Sequence, residues 1–276
     1  MDAAMHEIAP AKINLALHVR ERMADGYHRI ETLFAFARDG DTLAAAPAEN
    51  LSLTIDGPFA AGLEAGEGNL VMRAARALRE SAGVREGAAL RLAKTLPVAS
   101  GIGGGSADAA AALRLLARLW GTDVPLEPIA RALGADVPAC LVGRTVRGEG
   151  RGDTLTPVAA DGLSGMPLLL VNPGVAMPTG PVFAAWDGID RGALGSGDPL
   201  KVALAGRNDL EAPAIRLQPV VGDLVAWLEA QPGVTLARMS GSGVTCFALF
   251  ADERACAVAT GAARRVWPWC LQTALA

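Results

Sequence analysis

A glycine-rich stretch directly before an alanine-rich segment is the feature of the sequence that most clearly suggests chemistry. It covers residues 101–105, and Ser106 and Asp108 lie at the start of the alanine-rich segment that follows. Glycines lack a Cβ and let backbone N–H groups approach an anion, and a helix N-terminus adds a partial positive charge. The pattern therefore predicts a polyphosphate-binding loop at the start of a helix. A plain flexible turn before a helix is the alternative interpretation.

The amino-acid sequence of this loop excludes three familiar nucleotide-binding motifs. A dinucleotide fingerprint requires a glycine at the position where Ser106 stands. A P-loop requires Gly-Lys followed by Ser or Thr, and no lysine of this chain follows a glycine. The His-Arg-Asp and Asp-Phe-Gly motifs of protein kinases are missing from the sequence as well. The loop is compatible with phosphate but belongs to none of these three classes.

Two charged residues outside the loop are candidates for a reaction. Lysine is scarce: three of the 25 Lys and Arg residues are lysines, namely Lys12, Lys94 and Lys201. Because most basic residues of this chain are Arg, a lysine suggests a position that needs a compact point charge. A lysine without function on the surface is an equally good interpretation. Asp136 follows a predicted helix and precedes an apolar, strand-like run. Its ordinary interpretation is an Asx turn or a helix cap.

Length and composition limit the classes of protein to which the chain can belong. Its 276 residues suffice for one large domain or two modest ones. With 51% hydrophobic and 20% charged residues, the composition excludes a disordered chain. No apolar run approaches the roughly 18 residues of a membrane span, the N-terminus lacks a basic signal-peptide region, and a net charge of -4 argues against a nucleic-acid binder. The sequence predicts a soluble cytoplasmic protein.

The cysteines and histidines support that prediction. The four cysteines form no Cys-x-x-Cys pair, and the three histidines show no metal-ligand spacing. We therefore expect free thiols in a reducing compartment, with no structural disulfide and no zinc site.

Hydrophobic periodicity predicts a mixed framework around these motifs. Predicted strands cover residues 12–19, 30–37, 51–55, 88–93, 167–171, 234–239 and 244–251. Predicted helices cover residues 69–82, 106–120, 126–133 and 220–231. A two-residue hairpin turn is expected at Asp25-Gly26, a second turn at residues 39–41, and an exposed loop at residues 188–199. The change of pattern predicts an N-terminal α/β domain over residues 1–160 and a C-terminal α+β domain over residues 161–276.

Three separated motifs together resemble the GHMP kinases, the family of galactose, homoserine, mevalonate and phosphomevalonate kinases. They are residues 97–108, residues 9–15 and residues 239–243. The resemblance implies a two-domain fold, α/β plus α+β, with an N-terminal domain like ribosomal protein S5 and a C-terminal ferredoxin-like domain. One departure is Ala107, which stands where the family usually has a second serine, so that any hydroxyl role is lost there.

Four shorter motifs narrow the resemblance to family members that act on a cytidine diphosphate alcohol. They are residues 24–28, 134–138, 171–174 and 208–211. Such a kinase uses ATP, with Mg²⁺ expected beside it, to phosphorylate the tertiary 2-hydroxyl of the alcohol in isoprenoid precursor synthesis. The sequence assigns neither the Mg²⁺ ligands nor the oligomeric state. Two alternatives stay open: a kinase for mevalonate or homoserine, and a nucleotide-binding sensor without catalysis.

The resemblance also implies roles for individual residues. Lys12 would be the catalytic lysine, and Asp136 the general base that accepts the proton of the attacking hydroxyl. Asn69 and Lys94 would lie on the adenine side of ATP. The remaining ATP contacts would come from Pro97, Val98, Ala99, Ser100, Gly101, Ile102, Gly103, Gly104, Gly105, Ser106 and Ala107. The substrate contacts would come from Asn14, Tyr27, His28, Thr179 and Phe183, with the Tyr27 and Phe183 rings stacked on cytosine.

Overall fold

The chain forms two compact units in the computed structural model, which describes residues 4–158 and 162–276. Unit 1 comprises Met1–Ala11, Asp39–Val98 and Gly103–Gly143. Unit 2 comprises Lys12–Arg38, Ala99–Ile102 and Arg144–Ala276. The predicted domain boundary between residues 160 and 161 falls outside the described residues and stays a prediction.

Two long strands contribute to both units. They are β1 (Met5–Arg22) and β2 (His28–Ala48), which pair with each other. In unit 1, the second part of β2 pairs antiparallel with β4, and β4 pairs in parallel with β3. The bounds are β3 (Ser52–Asp56) and β4 (Gly87–Ala93).

Four helices complete unit 1. They are α1 (Leu70–Ala82), α2 (Gly104–Trp120), α3 (Leu126–Leu133) and α4 (Val137–Val142). The helix α2 packs against α1 and α4, and its alanines at positions 109–112 are fully buried. Small side chains on this face allow the neighbouring helices to approach closely, which holds the first turn of α2 firmly within unit 1.

Unit 2 contains two groups of strands. The first part of β2 pairs antiparallel with β5, and β5 pairs antiparallel with β6. A second, antiparallel sheet has the strand order β10-β7-β9-β8. The bounds are β5 (Val146–Gly150), β6 (Thr154–Pro157), β7 (Pro167–Asn172), β8 (Val234–Met239), β9 (Cys246–Phe250) and β10 (Trp269–Ala274).

Among the described residues, unit 2 contains five helices. They are α5 (Thr179–Ala184), α6 (Pro199–Ala205), α7 (Glu211–Leu217), α8 (Val220–Glu229) and α9 (Glu253–Val266). Of these, α8 and α9 pack on the second sheet, whereas α5 contacts α7 and α7 contacts α8. The helix α8 contacts β8 and β9, and α9 contacts β7 and β10. Strand β9 is buried along its whole length, which explains its continuous apolar sequence.

Most of the predicted elements are confirmed. The strand over residues 234–239 and the helix over residues 126–133 have the predicted bounds. The helix α1 begins after Asn69, whose side-chain oxygen accepts from the backbone N–H of Val71 at 2.9 Å. It ends at Gly83, which has a φ of 63°. The helix predicted over residues 69–82 thus ends where predicted, and its first predicted residue, Asn69, is the N-cap.

The predicted turn at residues 39–41 is wrong, because β2 continues through it. A Cβ on Gly40 would lie 1.9 Å from the backbone oxygen of Ala9, so glycine is needed there because the backbones of the two segments lie so close together. Asp41 is fully buried, and its Oδ1 accepts from the backbone N–H groups of Thr95 and Leu96 at 2.6 and 2.8 Å. These two donors replace the water that a turn carboxylate would use.

Three further local predictions need correction. The connection between β1 and β2 exceeds two residues, because the backbone N–H of Met23 donates to the Tyr27 carbonyl at 2.7 Å around a three-residue loop. The apolar run after Asp136 forms the helix α4, which ends at Gly143 with a φ of 63°. The predicted strand over residues 244–251 is shorter, since β9 begins at Cys246.

The structure also bears on the predicted thiols and membrane contacts. The four cysteines, all within the described residues, form no disulfide, and three of them are buried. Among the helices of the described residues, none is long and apolar enough to cross a membrane.

Candidate active site

Three segments that the sequence singled out meet in unit 2. The backbone N–H of Lys12, in β1, donates to the carbonyl of Ile102 at 3.0 Å. The Ser240 hydroxyl donates to the carbonyl of Gly101 at 3.0 Å and accepts from the backbone N–H of Asn14 at 3.2 Å. The N-terminal motif, the first part of the glycine-rich loop and the C-terminal motif therefore form one hydrogen-bonded arrangement.

The first part of the loop requires glycine at position 101. Gly101 has a φ of +79°, and a Cβ there would lie 2.4 Å from the Ser240 carbonyl oxygen and 2.8 Å from that of Gly243. The neighbouring Ser100 carbonyl accepts from the Thr245 N–H at 3.1 Å. The turn that closes with the Gly243 N–H donating to the Ser240 carbonyl at 2.9 Å thus packs directly on the loop. Residues 240–243 thus form a tight turn, and this turn also supports the glycine-rich loop.

Lys12 provides a buried positive charge beside this arrangement. Its side chain is 4% exposed, and its Nζ donates to Asn14 Oδ1 at 3.1 Å. The Nζ atom lies 5.1 Å from the centre of the Phe34 ring. The Asn14 amide in turn donates to Thr32 Oγ1 at 2.8 Å, which fixes the orientation of its oxygen towards Lys12. A desolvated ammonium held in this way can stabilise negative charge that develops on a phosphoryl group.

The second part of the loop lies in unit 1 and begins α2. Gly103 precedes the helix with a φ of 65°, and Gly104 is its first residue. The first N–H groups of a helix have no partner within the helix, so they are available to an anion. A Cβ on Gly104 would lie 3.0 Å from Lys94 Nζ, and one on Gly105 would lie 3.6 Å from a methyl carbon of Leu70. The absence of a side chain at position 104 thus makes room for a buried lysine beneath the helix end.

Lys94 joins two buried carboxylates. Its Nζ donates to Asp108 Oδ2 at 2.7 Å and to Asp41 Oδ2. Burial, reinforced by the neighbouring Asp41 carboxylate, raises the pKa of Asp108 to about 7 although the Lys94 charge opposes the shift. Burial opposes the ammonium form of Lys94, but the Asp108 and Asp41 carboxylates nevertheless raise the pKa of Lys94 above its ordinary value.

The predicted base lies at the start of another helix of unit 1. Asp136 directly precedes α4, and its carbonyl accepts from the backbone N–H of Cys140 at 3.1 Å. Its side chain is half-buried and makes no capping hydrogen bond to α4, so capping is not its structural task. Asn69, in contrast, uses its side chain to cap α1 and to donate to the Glu64 carbonyl at 2.9 Å.

The predicted nucleobase contacts occur in unit 2 in two separate groups of side chains, Tyr27 with Arg151 and His28 with Phe183 and Trp186. Tyr27 is 55% exposed, and the guanidinium carbon of Arg151 lies 4.0 Å from the centre of its ring. The His28 ring lies 5.0 Å from the Phe183 ring and 5.7 Å from the Trp186 ring. Burial, followed by the charge of a nearby arginine, lowers the pKa of His28, so the ring is neutral near pH 7. A neutral imidazole offers one donor and one acceptor.

Thr179, another predicted substrate contact, begins α5. Its hydroxyl lies 3.0 Å from the Ser242 hydroxyl, which links α5 to the C-terminal motif. Sequence reasoning missed Arg151 and Trp186, which lie beside Tyr27 and His28, and Asp41, which lies beside Lys94 in unit 1. The pattern around Asp41 indicated a turn, and an arginine or tryptophan has no spacing rule that would identify its ring partner.

Comparison with known proteins gives consistent matches across the chain. The model of the GHMP kinases N-terminal domain matches residues 69–144, and that of the GHMP kinases C-terminal domain matches residues 191–268. A protein of Rhizorhabdus wittichii named 4-diphosphocytidyl-2-C-methyl-D-erythritol kinase is 63% identical over 259 residues, which cover 91% of this chain and 88% of that protein. A protein of the same name from Sphingopyxis alaskensis is 51% identical, with full coverage of both chains.

Solved structures agree with these matches. A crystal structure of 4-(cytidine 5'-diphospho)-2C-methyl-D-erythritol kinase has a TM-score of 0.82 and 36% identity, and the match covers 98% of this chain and 99% of that one. A homoserine kinase from Cytophaga hutchinsonii has a TM-score of 0.77 at 19% identity, over 100% of this chain and 96% of that one. The second similarity, at this low identity, concerns the fold alone.

Proposed function

The chain belongs to the GHMP kinase family, and we propose that it transfers the γ-phosphoryl group of ATP to the 2-hydroxyl of 4-diphosphocytidyl-2-C-methyl-D-erythritol. The observation that carries this proposal is the high identity, over nearly the whole chain, to proteins named as the kinase of that substrate. The predicted fold class and the prediction of a small-molecule kinase are confirmed by the same matches. The reaction would supply isoprenoid precursor synthesis by the non-mevalonate route.

The proposed chemistry needs a proton acceptor and a stable positive charge. Asp136 would accept the proton of the attacking hydroxyl as its oxygen bonds to the γ-phosphorus and ADP leaves. Phosphoryl transfer has a loose transition state, so a carboxylate can take the proton late. Lys12 would offset negative charge on the reacting oxygens. Its fixed position in β1 supports this role, because a charge that is already oriented needs no reorganisation during the reaction.

ATP use is expected of the family, and the glycine-rich loop supports it here. Backbone atoms and Lys94 already line the space where Cβ atoms at Gly101 and Gly104 would lie. The main chain of the loop therefore stays accessible only if these two positions are glycine. We propose that residues 97–107, with Asn69 and Lys94, bind the nucleotide. No group of three or more His, Cys, Asp or Glu side chains within the described ranges could by itself hold a metal ion. Mg²⁺ would therefore enter with ATP and take most of its ligands from phosphate and water, and it would supply charge neutralisation.

Recognition of the alcohol would fall to unit 2. Asn14 is oriented by Thr32, and neutral His28 can donate to and accept from a pyrimidine edge. Tyr27 and Phe183 would stack on the cytosine ring, and Thr179 would bind a polar group of the substrate. We further propose a cytoplasmic location, which the free cysteines support.

A coupled assay of ADP formation tests the proposal. The purified chain is supplied with MgATP and, in separate reactions, with the cytidine diphosphate alcohol, mevalonate or homoserine. We expect turnover with the first alcohol and a new phosphomonoester signal in the ³¹P NMR spectrum. Turnover with mevalonate or homoserine instead would identify a different kinase of the family. Nucleotide binding without turnover of any alcohol would indicate a sensor.

A further inference from the structure

A buried ionic cluster lies beneath the first turn of α2, and the proposed reaction gives its two carboxylates no role. The side chains of Lys94, Asp41 and Asp108 are 3%, 0% and 5% exposed. Asp108 Oδ1 is buried without a hydrogen-bond partner among the described residues. Burying charged groups is costly even when they are paired, and apolar residues of similar size are often as stable. Stability alone is therefore a weak explanation for this cluster.

The cluster connects three segments that border the glycine-rich loop. Asp41 belongs to β2, and its Oδ1 accepts from the N–H groups of Thr95 and Leu96, which immediately precede the loop. Asp108 lies early in α2, where its Oδ2 accepts from Lys94 Nζ at 2.7 Å. The ammonium also lies directly under Gly104, the first residue of α2. One lysine thus fixes both the chain that enters the loop and the helix end that follows it.

We propose that Lys94, Asp41 and Asp108 form a positioning triad that sets the backbone N–H groups of residues 104–106, which precede the first N–H bonded within the helix, that of Ala107 to the Gly103 carbonyl, for the phosphates of ATP. This inference rests on the proposed use of ATP. Lys94 then acts through the two carboxylates that its ammonium contacts, and its effect is on phosphate binding. The family resemblance, and with it the proposed function, places Lys94 among the nucleotide contacts on the adenine side, so a direct contact and a positioning role predict different consequences of its removal.

The double variant Lys94→Met/Asp108→Leu tests the triad. It removes the Lys94 ammonium and the Asp108 carboxyl together and leaves Asp41 with its two backbone donors, so the remaining buried carboxylate keeps partners. Isothermal calorimetry then measures the Kd of two probes, a non-hydrolysable ATP analogue and inorganic tripolyphosphate. We expect the Kd of both probes to rise by a similar factor of about 10 to 100, since displacement of a binding group by about 1 Å has effects of this size. The melting temperature and the KM for the alcohol should change little.

Lys201→Met serves as the matched control. Lys201 is an exposed lysine of α6, and its replacement should alter neither Kd. Weaker binding of the ATP analogue with unchanged binding of tripolyphosphate would show that Lys94 acts on adenine and would overturn the triad. Unchanged binding of both probes would show that the cluster is only structural and would overturn it as well.

A single variant covers the case in which the double variant does not fold. Asp108→Asn keeps the side-chain volume and removes the anionic partner of Lys94. Weaker tripolyphosphate binding, with faster hydrogen exchange over residues 103–108, supports the triad, and unchanged values for both overturn it. Failure of the proposed function is distinguishable, because calorimetry needs no alcohol. It would appear as wild-type protein that binds nucleotide but turns over no alcohol, or that binds neither probe.

Discussion

Replacement of Gly101 by alanine tests whether the close contact between the loop and the C-terminal motif determines nucleotide binding. Two costs can be worked out from the structure. A φ of +79° costs an L-residue about 1 to 2 kcal/mol. The added Cβ would also lie 2.4 Å from the Ser240 carbonyl oxygen, and because this is a backbone atom it cannot move cheaply. Overpacking of this kind costs about 1 to 3 kcal/mol.

The free energy of unfolding should therefore fall by roughly 2 to 5 kcal/mol in Gly101→Ala. In a chain of this size, this corresponds to a melting temperature lower by roughly 5 to 15 °C. The strain can also be relieved by moving the loop away from residues 240–243, and that movement would disturb the phosphate contacts. We expect the Kd of an ATP analogue to rise by at least about 10-fold as a result.

The chain offers a matched control for the backbone strain. Gly62 has a φ of +80°, but a Cβ there would meet nothing within 4 Å. Gly62→Ala should lose only the about 1 to 2 kcal/mol of the unfavourable φ and keep its nucleotide affinity. Thermal unfolding and calorimetry of both variants give the comparison. If Gly101→Ala loses no more stability and no more affinity than Gly62→Ala, the contact between the loop and the turn is not important and the reasoning fails.

Four other expectations concern the proposed site and one pH-dependent contact. Asp136→Asn should lower kcat by about 10² to 10⁴ and leave substrate KM nearly unchanged, and a variant with most of its kcat would remove Asp136 from the mechanism. Gly103→Val should weaken nucleotide binding in calorimetry without unfolding the protein, because the φ of 65° at this position disfavours a β-branched residue. Tyr27→Ala and Phe183→Ala should each raise KM for the cytidylyl substrate by about 5- to 150-fold and leave KM for ATP unchanged; a parallel change in both KM values would refute the stacking. Burial, with the Arg207 charge, lowers the pKa of His18, whose ring contacts the Gly192 carbonyl and the Arg207 N–H. As the pH falls below 6.5, His18 of the unfolded chain takes up a proton before His18 of the folded chain does, so the free energy of unfolding should fall with the pH. Hydrogen exchange at residues 188–195 should rise, whereas His6→Gln should behave as wild type. No change in stability or in exchange between pH 7.5 and 5 would contradict the assignment.

Local patterns in the sequence were sufficient for α1, α2 and α3 and for the strands β3 and β4 of unit 1, and for most strands of unit 2. The helix α1 was predictable because Asn69 and Gly83 mark its ends by short-range hydrogen bonding and backbone conformation. The strand β8 was predicted with its observed bounds, although its burial does not alternate strictly and its pairing with β9 is irregular between Val234 and Leu236. For α1, the determining interactions lie within a few residues along the chain.

Other elements of unit 2 were not predicted from the sequence. The short helices α5, α6 and α7 have six or seven residues each, too few to show a helical period. The strand β10 is only half-buried and has no strict alternation. Their conformation is determined by tertiary packing, which a single sequence does not display.

The turn predicted at residues 39–41 failed for a different reason. Glycine and aspartate are common in turns, but Gly40 is required by the backbone of Ala9 and Asp41 by the N–H groups of Thr95 and Leu96. Each partner is distant in sequence, so the same residue types have another cause. The Lys94 cluster was missed in consequence, since its recognition depends on Asp41 being buried.

The candidate site shows the same dependence on distant partners, and this has a consequence for its energetics. Ser240 lies 226 residues from Asn14 and 139 residues from Gly101, yet its hydroxyl bonds to both. Each of the three motifs is therefore held by the other two, and none is preformed by its local sequence. Loss of one partner leaves the remaining two less constrained, so the free energies of substitutions at these positions should not add. The motifs can be recognised separately in the sequence, but the conformation of Gly101 and its neighbours depends on contacts that exist only in the folded unit 2.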